Sequence, residues 1–110
     1  MGITKSSLFT SEENELAIKL KALGHPARIA IINYLAKMND CICGDLVNEL
    51  PLAQPTISQH LKELKNAGLI QGTIEGTSIY YCINPDGFEK VKTFIDLLTN
   101  SIQTKQKSCC

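Results

Sequence analysis

The sequence predicts a mostly α-helical chain with one β-hairpin, within the α+β class. Apolar residues recur at helical spacing from residue 10 to residue 67 and again over 85–102. Between these stretches, over 69–83, β-branched and aromatic residues form two short runs on either side of residues 75–77, which is typical of a hairpin. A length of 110 residues leaves room for a single domain over 1–110.

Two helices are predicted in the first part of the chain. Thr10 and Glu13 fit a capping box, so the first helix is predicted over 10–24. The run of glycine, histidine and proline at 24–26 ends that helix. A proline suits the first turn of the next helix, predicted over 26–38, because its missing N–H would have no partner there.

The next two helices are predicted over 41–50 and 54–67, with a short turn between them. The hairpin over 69–83 follows, then a last helix over 85–102 and a flexible tail over 103–110. Two helices joined by a short turn and followed by a hairpin describe a winged helix-turn-helix.

The second helix of this pair is predicted to bind DNA. Ile57, Leu61 and Leu64 share one side of it. The DNA-binding residues are predicted to be Gln54, Thr56, Ser58, Gln59, His60 and Lys62. Glutamine pairs bidentately with adenine in the major groove, hydroxyl groups reach base edges or phosphates, and lysine neutralises phosphate. An amphipathic helix with no such role remains the alternative.

The charge of the chain does not favour nucleic acid. Eleven basic and eleven acidic residues give a net charge of zero, whereas DNA-binding domains are usually basic. Within 54–67 two lysines and one glutamate leave a net charge of only +1. A dimeric interaction module without DNA binding is therefore a further alternative.

Three segments resemble the ArsR/SmtB family of metal-responsive repressors. Residues 23–35, with their leucine, proline and arginine, resemble the opening of that family's second helix. Residues 54–70 are similar to its recognition helix almost position by position, and 76–81 to its wing. The resemblance covers about 12–98, most of the chain.

The resemblance implies a homodimer joined by the first and last helices. Such a dimer represses transcription by binding an inverted repeat in double-stranded operator DNA and is not an enzyme. The wing departs from the family, since residues 75–78 lack the basic residues often found there. The zinc site that some relatives build between their last helices is not expected, because residues 85–102 contain no histidine.

Cysteine is the unusual component, with five residues. An odd count without an export signal does not predict a disulfide framework. No segment has the length of apolar sequence that a membrane span needs, so the protein is expected in the cytoplasm. Cys82, in the second hairpin strand, is predicted to fill the core.

The family's metal-sensing motif has a counterpart at Cys41 and Cys43, although Gly44 shifts both thiols by one residue toward the N-terminus. A thiol at a helix N-terminus has a lowered pKa, which favours the thiolate. Cysteine ligands suit soft ions, foremost As(III), then Sb(III), Cd(II) and Pb(II), as inducers. Cys109 and Cys110 are the candidates for further ligands.

Two other interpretations of the cysteines remain open. A repressor of the same fold could sense oxidants or reactive sulfur by forming disulfides or polysulfides. The other is a thiol enzyme with Cys43 as nucleophile, although the chain has no Cys-x-x-Cys and no parallel βαβ pattern. His25 is predicted to hydrogen-bond locally and not to bind metal.

Overall fold

The computed structural model describes residues 8–38, 41–43, 50, 53–76 and 78–104. In this part of the chain four helices surround a three-stranded antiparallel sheet. The helices are α1 (Ser11–Leu23), α2 (Pro26–Met38), α3 (Gln54–Asn66) and α4 (Pro85–Thr104). The strands are β1 (Ile42–Cys43), β2 (Ile70–Glu75) and β3 (Ser78–Ile83), in the spatial order β1-β3-β2. The predicted mostly helical winged fold is confirmed.

The first helix begins at the predicted capping box. The Thr10 hydroxyl accepts from the backbone N–H of Glu13, and the Glu13 carboxylate accepts from the backbone N–H of Thr10, both at 3.0 Å. Two of the N–H groups that lack partners at a helix start are satisfied in this way. The imidazole of His25 then accepts from the backbone N–H of Ala27 at 3.1 Å, which confirms its predicted local role.

The sheet contains one more strand than the sequence pattern predicts. β2 and β3 form the expected hairpin, with Ile70 opposite Ile83 and a turn at Gly76. β1 pairs with the outer edge of β3, placing Ile42 opposite Tyr81 and Cys43 opposite Tyr80. The prediction of a helix beginning at residue 41 is therefore wrong for residues 41–43. Residues 44–49 of that predicted helix lie outside the described residues.

The core lies where α1, α2 and α3 meet the sheet. Its largest fully buried side chains come from α2, from α3 and from the start of the hairpin: Ile31, Leu35, Ile57, Leu64, Leu69 and Ile70. The apolar side predicted for α3 is confirmed, since Ile57, Leu61 and Leu64 are all buried. None of the helices in the described part of the chain is both long and apolar enough to cross a lipid bilayer.

The end of α3 is closed by two glycines. Gly68 follows the C-cap Ala67 with φ of 80°. Its N–H donates to the carbonyl of Lys65, and the N–H of Leu69 donates to the carbonyl of Leu64, both at 3.0 Å. This is a Schellman motif, which favours glycine because of the positive φ. Gly87 of α4 packs against the carbonyl of Gly68 so closely that a Cβ atom has no room. The start of α4 is thereby fixed against the end of α3.

Candidate nucleic-acid interface and cysteine site

The outer face of α3 carries hydrogen-bonding side chains. Its exposed residues include these predicted DNA contacts: Thr56, Ser58, Gln59 and Lys62. The Gln59 amide donates to the Glu63 carboxylate at 3.0 Å, leaving the amide oxygen on the exposed surface. The side chain of Gln54, the remaining candidate in the first turn, lies outside the described residues. The face offers donors and acceptors with little net charge.

His60 is not part of this face, and its predicted contact with DNA is wrong. The side chain is only 6% exposed. It points toward α2, where its Nδ1 accepts from the Arg28 Nε at 3.0 Å and its ring centroid lies 4.5 Å from that of His25. The reason is helical geometry, because His60 follows the buried Ile57 by three residues and lies on the flank that turns inward.

The environment of His60 keeps its ring neutral. Burial, together with neighbouring His25 and Arg28, holds the pKa of His60 below its ordinary value of 6.5. A neutral ring is required for Nδ1 to accept from a guanidinium. Arg28 also donates to the carbonyl of Ala22 at 3.3 Å. The only arginine of the chain therefore connects α1, α2 and α3.

Lys19 provides a second connection to α3. Although lysine is rarely buried, this side chain is 7% exposed, and its ammonium donates to the carbonyl of Ala67 at 2.9 Å. The contact places a positive charge at the C-terminal end of α3, where the helix dipole favours it. No local sequence pattern indicates this role, since the partners are 48 residues apart. Arg28 belongs to the segment 23–35 that resembles the family, but that resemblance did not identify His60 as its hydrogen-bond partner.

The wing, unlike the outer face of α3, exposes apolar side chains near its tip. Ile74 and Ile79 lie opposite each other near its tip and are 74% and 42% exposed. The sequence from 69 to 88 contains neither lysine nor arginine. The wing therefore has no cationic side chain for a phosphate contact, in agreement with the expectation from its sequence.

The cysteines are arranged differently from the sequence prediction. Cys41 forms a disulfide with Cys82 of β3, with a Cα–Cα distance of 4.3 Å. Two predictions are corrected here: Cys82 is not simply core filler, and a disulfide is present despite the odd cysteine count. The register explains the bond, because Ile42 opposite Tyr81 places the preceding Cys41 opposite Cys82.

Cys43, the other candidate ligand among the described residues, is not part of this disulfide. Cys43 is half-buried with a free thiol, and Cys109 and Cys110 lie outside the described residues. Among residues that the structure describes, no group of three or more His, Cys, Asp or Glu side chains is arranged to hold a metal ion. Ile42–Cys43 is a strand, so Cys41 and Cys43 do not lie within a helix.

Known proteins are similar to this chain in fold and in sequence. Residues 25–71, from the turn before α2 into β2, match the family described as "Bacterial regulatory protein, arsR family". An uncharacterised helix-turn-helix transcriptional regulator of Methanocaldococcus jannaschii is 38% identical over 89 residues, covering 79% of this chain and 99% of that protein. The arsenical resistance operon repressor of Staphylococcus xylosus is 30% identical over 89 residues, covering 81% and 85% respectively.

Other matches cover a shorter stretch of sequence or have a lower sequence identity. The repressor SmtB of Mycobacterium tuberculosis is 44% identical over 62 residues, covering 56% of this chain but only 45% of that repressor. A homodimeric winged helix-turn-helix DNA-binding domain of Mycobacterium bovis superimposes with a TM-score of 0.64 at 22% identity, covering 93% of this chain and 89% of that one. At that identity the likeness shows the fold. The matches to the Methanocaldococcus jannaschii and Staphylococcus xylosus proteins cover most of both chains and show the family as well as the fold. This chain belongs to the arsR family of bacterial regulatory proteins, which are DNA-binding transcriptional regulators and not enzymes.

Proposed function

We propose that this chain is a transcriptional repressor that binds duplex operator DNA as a homodimer and leaves it when its cysteines react with an inducer. The observation that carries the DNA-binding part is the outer face of α3. Thr56, Gln59 and Lys62 are exposed there, while buried contacts from Lys19 and Arg28 hold the helix in place. A fixed helix with free hydrogen-bonding groups is what reading base edges in the major groove requires.

The terminal helices support the homodimer. α1 and α4 pack on each other and carry much of the exposed apolar surface. The large exposed apolar side chains on and just before α1 are Leu8, Phe9, Ile18 and Leu20, and those on α4 are Phe94, Ile95, Leu97, Leu98 and Ile102. Apolar surface of this extent marks an interaction site, and a second copy of the chain would cover it. Two-fold symmetry would place two α3 helices about 34 to 36 Å apart, in successive major grooves of an inverted repeat.

A thiophilic ion is the proposed inducer, with As(III) first, and Sb(III), Cd(II) or Pb(II) as alternatives. Soft thiolate ligands favour such ions over magnesium or manganese. Cys41, Cys43, Cys109 and Cys110 are the candidate ligands from the sequence, and the similar Staphylococcus xylosus protein is named as an arsenical resistance operon repressor. We place the protein in the cytoplasm, where DNA and reduced thiols are both available.

The disulfide favours a second candidate, in which oxidation is the signal. Two thiols and one hydrogen peroxide give the Cys41–Cys82 disulfide and two water molecules, so a peroxide would be a sufficient oxidant. The bond would tie β3 of the wing to the segment that leads toward α3. DNA affinity would then depend on the thiol–disulfide state in the absence of any ion.

Fluorescence anisotropy with the chain's own upstream promoter DNA tests both candidates. Reduced protein is expected to bind the duplex, and the affinity is expected to fall steeply as salt rises. Release by micromolar As(III) supports the ion as inducer. Release by peroxide, reversed by reductant, combined with indifference to As(III), supports the redox candidate. A failure to bind promoter DNA under reducing or oxidising conditions would contradict the proposed function itself.

A further inference from the structure

The Cys41–Cys82 pair has a geometry that the other cysteines in the described residues do not share. The two residues face each other across antiparallel strands with Cα atoms 4.3 Å apart. This is the short spacing of a non-hydrogen-bonded pair, in which the side chains come closest. The disulfide itself shows that the two sulfur atoms reach each other without any rearrangement of the strands.

Cys41 and Cys43 are less well placed for sharing one ion. Cys41 directly precedes β1 and Cys43 ends it, and a rise of about 3.3 Å per residue separates their Cα atoms by roughly 6.6 Å. Two thiolates on one ion, at bond lengths of about 2.3 Å, have sulfur atoms no more than about 4.6 Å apart. The pair across the strands meets this condition more readily than the pair along the strand.

We propose that Cys82, and not Cys43, is the partner of Cys41 in a dithiol site for a soft trivalent metalloid. The disulfide is the closed form of this site, and reduction opens it. The role of the site in releasing DNA rests on the proposed function, whereas binding at the two thiols does not. This assignment differs from the Cys-x-Cys pair that the sequence suggested.

Reduction of the disulfide and binding of the metalloid are two separate reactions. A dithiol reductant transfers two electrons and two protons to the disulfide, giving two cysteine thiols and the oxidised reductant. Arsenous acid then exchanges two hydroxyl groups for the sulfur atoms of the two thiols: two As–S bonds form, two As–O and two S–H bonds break, and two water molecules are released. The third hydroxyl group stays on the arsenic in this exchange. Cys41 is exposed and Cys82 half-buried, so the pair is accessible from solvent.

Alkylation footprinting of the full-length protein tests the assignment. The protein is reduced with tris(2-carboxyethyl)phosphine, desalted and treated with one equivalent of phenylarsine oxide, which binds two thiols and releases one water. N-ethylmaleimide then labels the remaining thiols, and tryptic peptides are quantified by mass spectrometry. Cys82 is the single cysteine of its peptide, residues 66–90, so its labelling is read without ambiguity. We expect labelling of Cys82 to slow at least tenfold, and unchanged labelling would overturn the proposal.

Two matched variants identify the partner of Cys82. In Cys41→Ser the protection of Cys82 is expected to disappear, because one sulfur of the pair is missing. In Cys43→Ser the protection is expected to persist. Protection that survives Cys41→Ser, or that is lost in Cys43→Ser, would show a different pairing and overturn the proposal. Should Cys41→Ser fail to fold, as judged by circular dichroism, Cys43→Ser still decides it, because Cys41 is then the single cysteine of peptide 38–62 and must be protected together with Cys82.

Anisotropy on the same reduced sample separates this proposal from the repressor function. Promoter binding together with unprotected Cys82 contradicts only the dithiol site. Protection of Cys82 in a protein that does not bind promoter DNA supports the site and contradicts the proposed function.

Discussion

The recognition helix and the wing are attached to the molecule in different ways. α3 is held by buried polar contacts from two other helices, Lys19 to Ala67 and Arg28 to His60. The wing is held by strand pairing, and Ile74 near its tip is 74% exposed. Buried polar contacts fix orientation, because an unpaired buried group is costly and few arrangements satisfy it. The direction of α3 is therefore fixed by buried side-chain contacts, whereas Ile74 and Ile79 near the tip of the wing are placed by strand pairing.

The largest effect on this arrangement is expected from Gly87→Ala. A Cβ atom there would collide with the backbone of Gly68, which closes α3. Alanine normally stabilises a helix relative to glycine by about 1 kcal/mol, but overpacking against backbone reverses the sign and costs about 3 kcal/mol. Urea unfolding at a fixed protein concentration measures the change. Thr93→Ala, exposed on the same helix, is the control. Equal stabilities of Gly87→Ala and wild type would refute the close approach.

Lys19→Met removes the buried contact at the end of α3 while keeping the length of the side chain. The carbonyl of Ala67 loses its donor, so a loss of about 1 to 3 kcal/mol in the free energy of unfolding is expected. Lys21→Met changes the same residue type at an exposed position of α1 and is expected to have little effect. If the two variants unfold at the same urea concentration, Lys19 does not anchor α3.

A smaller effect is expected from lowering the pH. The pKa of His60 is below 6.5 in the folded chain, so the unfolded chain takes up a proton first as the pH falls. The contribution of neutral His60 is therefore fully present above pH 6.5 and decreases as the pH falls below it. His60→Asn keeps an acceptor near the Nδ1 position and does not titrate. Thermal unfolding between pH 7.5 and 5.5 should show a smaller loss of stability in this variant, and parallel losses would argue against the assignment.

The smallest effect is expected at the surface contact between α1 and α4. Lys90 and Glu15 are both exposed, with a 2.9 Å ion pair, and such pairs contribute little. Lys90 lowers the pKa of Glu15 from 4.5, so the small contribution is present above pH 4.5 and disappears as the pH falls below that value. Lys90→Ala should unfold close to wild type at neutral pH. A large loss would mean that this pair, and not the apolar packing, joins the terminal helices.

Local sequence signals predicted much of the fold. Thr10 and Glu13 specify the start of α1 because their contacts lie within one turn. Gly68 lies one residue beyond the C-cap of α3, with the positive φ that favours glycine. The apolar spacing of Ile57, Leu61 and Leu64 identified the buried side of α3, because residues three and four apart lie on the same side of a helix.

Contacts between distant residues were not predicted. β1 has only two residues, so it carries no periodicity of its own, and it exists because β3 pairs with it. The Cys41–Cys82 bond depends on that register and spans 41 residues. His60 was counted among the DNA contacts because a helical wheel places it on a flank of α3, and its contact with Arg28, 32 residues away, leaves no local signal in the sequence.

The affinity for specific DNA tests the central claim that α3 reads the operator. Anisotropy compares reduced wild type, Gln59→Ala and Ile74→Thr on the upstream promoter duplex and on a scrambled duplex at the same salt concentration. We expect the wild type to prefer the promoter by at least about a thousandfold. Loss of the Gln59 amide should cost about 1 to 3 kcal/mol of that preference, and Ile74→Thr should leave it nearly unchanged. Equal binding to both duplexes, or a Gln59→Ala variant that discriminates as well as wild type, would contradict the claim.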